Sequence, residues 1–187
     1  MGISRTFQNI RLFPQMSAYE NVELGLHNKP RYSLLEAFFR TPRAQRIEQD
    51  TRKRAYQLLD IVNLEGFARE RASSLPYGLQ RRLELARAMA ARPDLLLLDE
   101  PAAGMNDDEC ADLVQLVRRI HTEMKYTIIM IEHHMNVVMD LCTGQRIYVL
   151  NLGSLMAHGS PAEIQSNPDV IRAYLGERKN VINRTDA

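Results

Sequence analysis

Residues 95–101 read Leu-Leu-Leu-Leu-Asp-Glu-Pro, and this run limits the fold more than any other. A short, wholly apolar stretch is the mark of a strand buried on both faces, as in a parallel sheet. Asp99 and Glu100 then stand at its carboxyl end, where the ligands of open α/β sheets collect. A carboxylate placed like Asp99 can hold Mg²⁺, and one placed like Glu100 can accept a proton from an attacking water. Taken alone, the pair reads equally well as two solvated acids after a strand.

The flanking residues extend the pattern. Asn106 precedes Asp107, Asp108 and Glu109, which predicts a capped helix start with acids on its positive end. That helix is expected to bury Leu113, Leu116, Val117, Ile120 and Met124. Thr127 to Ile131 predicts the next strand, and Glu132-His133-His134 follows it. Strand, helix and strand in this order imply a parallel pair. An imidazole such as His133 at the strand end can hydrogen-bond a phosphate oxygen or a water. The trio lacks the H-E-x-x-H spacing of a zinc-binding helix.

Upstream, Ile3 to Phe7 reads as a short strand leading to Gln8. Ser17-Ala18-Tyr19-Glu20 has capping-box spacing, so a helix is expected from there to about His27. Residues 28–42 read as an irregular excursion with one short helix at Leu34 to Phe39, and Arg43 to Leu64 reads as helical. Leu79, Leu83, Ala86 and Ala90 mark one face of a helix that Pro93 ends. The loop Leu75-Pro76-Tyr77-Gly78 feeds that helix, and a helix start favours anions such as phosphate. Downstream, Ile147 to Leu150 and Ser154 to Ala157 flank a turn and read as a hairpin. Ser160-Pro161 opens a helix that Asn167-Pro168 interrupts. A last turn spans Asp169 to Leu175, and Gly176 is expected to stop it before a loose polar tail.

Bulk properties narrow the function. A hydrophobic share of 45% and a formal charge of +1 fit a globular chain with no overall pull toward nucleic acid or an anionic membrane. No apolar run approaches the roughly 20 residues needed to cross a bilayer. Cys110 and Cys142 sit in no metal-ligand spacing, so a reduced, cytosolic chain is expected.

In order, these segments resemble the ATP-binding cassette family over nearly the whole chain. Arg5-Thr6-Phe7-Gln8 resembles the Q-loop and Leu75 to Gln80 the signature loop. Leu95 to Glu100 resembles Walker B with its catalytic glutamate, Ala102 to Asn106 the D-loop, and His133 the switch histidine. Tyr-Gly in the signature, Ala-Ala-Gly before Asn106 and the ending Val170 to Gly176 resemble the first ATPase of branched-chain amino acid importers. A lipopolysaccharide-export ATPase is the nearest alternative.

The resemblance implies an α/β fold: a partial P-loop NTPase (RecA-like) parallel sheet with an inserted α-helical subdomain. Residues 1–8 would be a core remnant, 9–92 the helical subdomain, 93–176 the rest of the core and 177–187 a flexible tail. It implies ATP and Mg²⁺ as cofactors, with Asp99 and Gln8 at the metal, Glu100 as general base and His133 at the γ-phosphate. Tyr77, Gly78 and Gln80, with Ala103, Gly104 and Asn106 of the D-loop, would face the nucleotide of a second ATPase subunit. Residues near Leu12 to Tyr19 would meet transmembrane permease subunits. The chain would sit on the inner face of the cell membrane, without inserting into it and without binding nucleic acid.

Three departures stand out. No G-x-x-x-x-G-K-[ST] occurs in the 187 residues. Losing two or three of that loop's charge-assisted phosphate bonds, at roughly 1.5–3 kcal/mol each, weakens nucleotide binding about a thousandfold. The residues given are therefore expected to be inactive alone, as a truncated cassette or as a non-catalytic module, and to leave apolar sheet surface uncovered. Pro76 stands where the family usually has Ser, and Leu79 where Gln is common.

Overall fold

The computed structural model describes residues 2–26, 33–144 and 146–175. Its contacts divide the chain into two compact units, Met1–His133 and His134–Ala187.

The first unit opens with strand β1 (Ile3–Arg5). Helix α1 (Ala18–Leu26) begins at the expected capping box. There the Ser17 N–H donates to Glu20 Oε2 at 2.7 Å, and the Glu20 N–H donates to Ser17 Oγ at 3.2 Å. Helix α2 (Leu34–Phe38) is the short helix of the excursion, capped by Ser33 and Glu36. Helix α3 (Pro42–Ile61) and helix α4 (Tyr77–Ala90) follow. Helices α1 and α4 meet closely at Gly25, where an added Cβ would lie 2.8 Å from Ala90 Cβ and from the Arg87 carbonyl oxygen. Ala18, Val22, Leu58, Leu83 and Met89 are buried between these helices.

Strand β2 (Leu95–Asp99), helix α5 (Asp107–Met124) and strand β3 (Thr127–Ile131) complete the unit. Asn106 and Glu109 form a capping box on α5, which buries Leu113, Leu116, Val117 and Ile120. Met124 is only half-buried, because it ends the helix beside Lys125 in the left-handed region. The three strands are parallel in the order β1-β2-β3.

Strand β2 differs from expectation. Leu96 and Leu98 are buried, while Leu95 and Leu97 are half-exposed. The register explains why. Ile3 pairs with Leu95, Leu97 with Ile129, and Asp99 with Ile131, so all six lie on one face. That face is largely open: Ile3, Ile129 and Ile131 are 61, 52 and 61% exposed. Among the described residues the sheet is thus packed on one side, and apolar side chains on the other are left open, as the sequence predicts.

The second unit holds helix α6 (Met135–Leu141), strands β4 (Ile147–Asn151) and β5 (Ser154–Gly159), helix α7 (Pro161–Ser166) and a short turn α8 (Pro168–Val170) that runs on into a π-helical turn, Ile171–Leu175. The strands form the expected hairpin. Its two-residue turn, Leu152-Gly153, has φ of 47° and 80°, the pattern of a type I′ turn. Ile147, Val149, Ile164 and Val170 make the small core, with Met135 and Val138 against it. Gly176, the tail 177–187 and the expected helix end at His27 lie outside the described residues.

Candidate active site

Strands β2 and β3 deliver their polar ends side by side. The Glu100 N–H donates to the Ile131 carbonyl at 2.9 Å, one step beyond the last β2–β3 pair. Glu100 takes φ 44°, a left-handed conformation uncommon for a non-glycine residue. Such backbone persists where its surroundings fix it, at a cost of order 1–3 kcal/mol. Here it turns the chain sharply after β2, and the Ala103 N–H closes the turn onto the Glu100 carbonyl at 3.1 Å.

Two other segments converge on the Glu100 carboxylate. Gln8 Nε2 donates to Oε2 at 2.7 Å. His133 Nδ1 lies 3.6 Å from Oε1. Asp99 pairs instead with Arg5, whose guanidinium donates to Oδ2 at 2.6 Å. Buried Thr6 anchors the strand between them, donating its N–H to the Leu97 carbonyl at 2.9 Å. Gln8, Asp99, Glu100 and His133 therefore share one rim. With its nitrogen given to Glu100, Gln8 keeps Oε1 as an acceptor. That amide oxygen and the Asp99 carboxylate are hard oxygen donors of the kind Mg²⁺ takes. Arg5 is the competing cation on Asp99, and the Asp99 side chain is exposed enough for a metal to reach it.

A second group gathers at the start of α4. Pro76 occupies the N-cap position and offers no side-chain hydrogen bond. A hydroxyl at that place would satisfy one of the helix's first N–H groups. Gly78 and Leu79 line a cleft of about 240 Å³ with Pro76, Met105 and Glu109. Gln80 does not point outward: its Nε2 donates back to the Leu75 carbonyl at 2.8 Å. Tyr77 reaches the turn after β2, where its hydroxyl donates to the Ala103 carbonyl at 3.1 Å. Gly104 next to it has φ 77°, and an added Cβ there would lie 3.6 Å from the Tyr77 ring. Asn106 acts on its own helix, accepting from the Glu109 N–H at 2.9 Å.

The residue that joins the two groups is Arg81, which the sequence motifs include without assigning it a role. It is 4% exposed. Its guanidinium donates to the carbonyls of Phe7, at 2.8 Å, and of Gln8. Its Nε donates to the Tyr77 hydroxyl at 3.2 Å, and Nη1 meets Glu84 Oε2 at 3.2 Å. Glu84, equally buried, accepts a long bond from the Arg11 N–H at 3.4 Å. Farther along the same loop, fully buried Asn21 bonds the Phe13 N–H and carbonyl at 2.9 and 3.1 Å. The only signal in sequence was an Arg and a Glu three apart on a helix otherwise rich in apolar residues.

Comparisons with known proteins show the family. A family model described as ABC transporter matches residues 1–103, and one described as branched-chain amino acid ATP-binding cassette transporter matches residues 154–180. The high-affinity branched-chain amino acid transport ATP-binding protein BraF of Pseudomonas aeruginosa is 46% identical over 94% of this chain and 68% of its own length. LivG of Escherichia coli, described in the same words, is 44% identical over 95% of this chain and 69% of its own. Among solved structures, the ADP conformation of MJ1267, an ATP-binding cassette of an ABC transporter, superposes with a TM-score of 0.74 at 26% identity. It covers 94% of this chain and 68% of that one. A dimeric structure of MJ0796, a bacterial ABC transporter cassette, gives 0.67 at 28% identity, over 86% of this chain and 63% of that one. These matches place the chain in the ATP-binding cassette transporter family, in its branched-chain amino acid group.

Proposed function

We propose that this chain belongs to an ATP-hydrolysing subunit that drives branched-chain amino acid import. The observation that carries the reading is the meeting of Gln8 and His133 on the single carboxylate of Glu100. In this reading Glu100 takes the proton of the attacking water, and Gln8 orients that water and senses the membrane subunit. His133 braces the terminal phosphate. Asp99 and Gln8 hold Mg²⁺, which when bound neutralises charge on the phosphate oxygens. Tyr77, Gly78 and the D-loop residues Ala103, Gly104 and Asn106 face the nucleotide of a second cassette, and Gln80, turned back onto the Leu75 carbonyl, holds the loop that presents them. Half-exposed Phe13, with Arg87 5.5 Å from its ring, gives the permease an aromatic and cationic contact. The chain then works from the inner face of the cell membrane.

Purified alone, the 187 residues are expected to turn over no ATP above background; Mg²⁺-dependent hydrolysis would refute the requirement for a phosphate-binding loop. Grafting the chain onto the part of LivG outside the aligned region tests the site itself. The chimera is expected to hydrolyse ATP, and Glu100→Gln to slow it by roughly 10²–10⁴-fold, the usual contribution of a general base. An unchanged rate would remove Glu100 from the role. Copurification with a branched-chain amino acid permease tests the cargo class, and capture by a different permease would reject it.

A further inference from the structure

Helix α2 wears its apolar stripe on the outside. Leu35, Phe38 and Phe39 stand at i, i+3 and i+4, the spacing that gathers side chains on one helix face. On an ordinary surface helix that face looks inward. Here the three residues are 70, 81 and 71% exposed. The two rings pack edge to face with centroids 5.2 Å apart, so they form one feature. Contiguous exposed apolar surface of this kind marks an interaction site.

Its border is cationic. Arg40, Arg43 and Arg46 are all exposed. Arg40 follows Phe39 directly, and its carbonyl accepts from Gln45 Nε2 at 3.0 Å, which folds the first turn of α3 back toward the end of α2. Arg43 reaches Glu36 of α2 at 3.2 Å. Arg46 lies one turn from Arg43 on the same face of α3. Between Ser33 and Arg46 there are three arginines and one acid, Glu36, whereas the whole chain carries only +1. The near-neutral total thus hides a local concentration of positive charge.

We infer that this knuckle seats the protein on an anionic bilayer surface, with Leu35, Phe38 and Phe39 entering the headgroup boundary and the three guanidiniums facing lipid phosphates. An exposed apolar face with an arginine border is the layout of an interfacial helix. Guanidinium pairs with phosphate through parallel hydrogen bonds and stays charged at any physiological pH. Among the described residues no helix is long and apolar enough to cross a membrane, so the contact is superficial. The inference stands on the patch itself and is independent of the transport reading.

The chain contains no tryptophan, so Phe38→Trp installs a single indole at the proposed contact. Its emission is expected to shift to the blue with phosphatidylcholine vesicles containing phosphatidylglycerol, to stay put with phosphatidylcholine alone, and to return in high salt. In vesicle flotation, the combined Arg40→Glu, Arg43→Glu and Arg46→Glu variant is expected to lose about a hundredfold in partition. Phe38→Ser with Phe39→Ser is expected to lose at least about tenfold. Circular dichroism checks that both variants fold. Ile131→Ser, on the open sheet face, is expected to float like the parent. Equal binding to neutral vesicles, retained binding in the charge variant, or loss in Ile131→Ser would overturn the inference. Capture of a permease through this patch while the charge variant floats unchanged would assign it to a protein partner and overturn it as well.

Discussion

At the scale of single residues, the proposed chemistry rests on a few side chains and the order around them on one. Asp99, Glu100 and His133 could be picked out as candidates because acid and imidazole residues follow apolar strands, whereas Gln8 stood out only through the family resemblance. Arg81 was not legible, because its long-range partners are main-chain oxygens some seventy positions away, and a carbonyl has no residue type to read. Its burial gives a sharp test. Removing one member of a buried, hydrogen-bonded ion pair costs roughly 3–5 kcal/mol, since the other charge is left without compensation. Arg81→Met is expected to destabilise the protein by about that amount in urea unfolding. Adding Glu84→Leu is expected to recover part of the loss, because the orphaned carboxylate goes with it. A double variant weaker than the single would show that Glu84 is held by other contacts.

At the scale of elements, helix starts were the most legible feature. Ser17, Asn106 and Ser160 each sit three residues before a glutamate, and each forms the reciprocal cap. The Ser160 cap carries a pH signature. The Ser160 N–H, and then its hydroxyl, hold the Glu163 carboxyl below the usual carboxylate range. A carboxyl lowered by folding adds stability above its unfolded value, and that contribution is lost as pH falls through the lower folded value. Glu163→Gln is therefore expected to be less stable than the parent near neutrality and to converge with it in acid. Parallel curves across that range would count against the cap. The close approach of α1 and α4 was not legible, since a glycine inside a helix pattern reads only as a weak spot. Gly25→Ala places a methyl group 2.8 Å from Ala90 Cβ and a backbone oxygen. It is expected to lower stability by roughly 1–3 kcal/mol despite the better helix propensity of alanine.

At the scale of the whole molecule, four leucines in a row reported a strand but not its cover. The tendency to be buried belongs to the residues, whereas the layer that buries them belongs to the rest of the polypeptide. The open face bearing Ile3, Ile129 and Ile131 is expected to drive concentration-dependent association. Ile129→Thr with Ile131→Lys is expected to reduce that association in analytical ultracentrifugation with little change in unfolding midpoint, because neither side chain is in the core. One contact described above reaches furthest. Arg81 grips the oxygens of the peptide chain at positions 7 and 8 and ignores the side chain that position 8 carries. The amide there is thus interchangeable hardware on a fixed mount. Swapping it leaves the mount in place, so whatever such a swap alters can be charged to reactivity and not to shape.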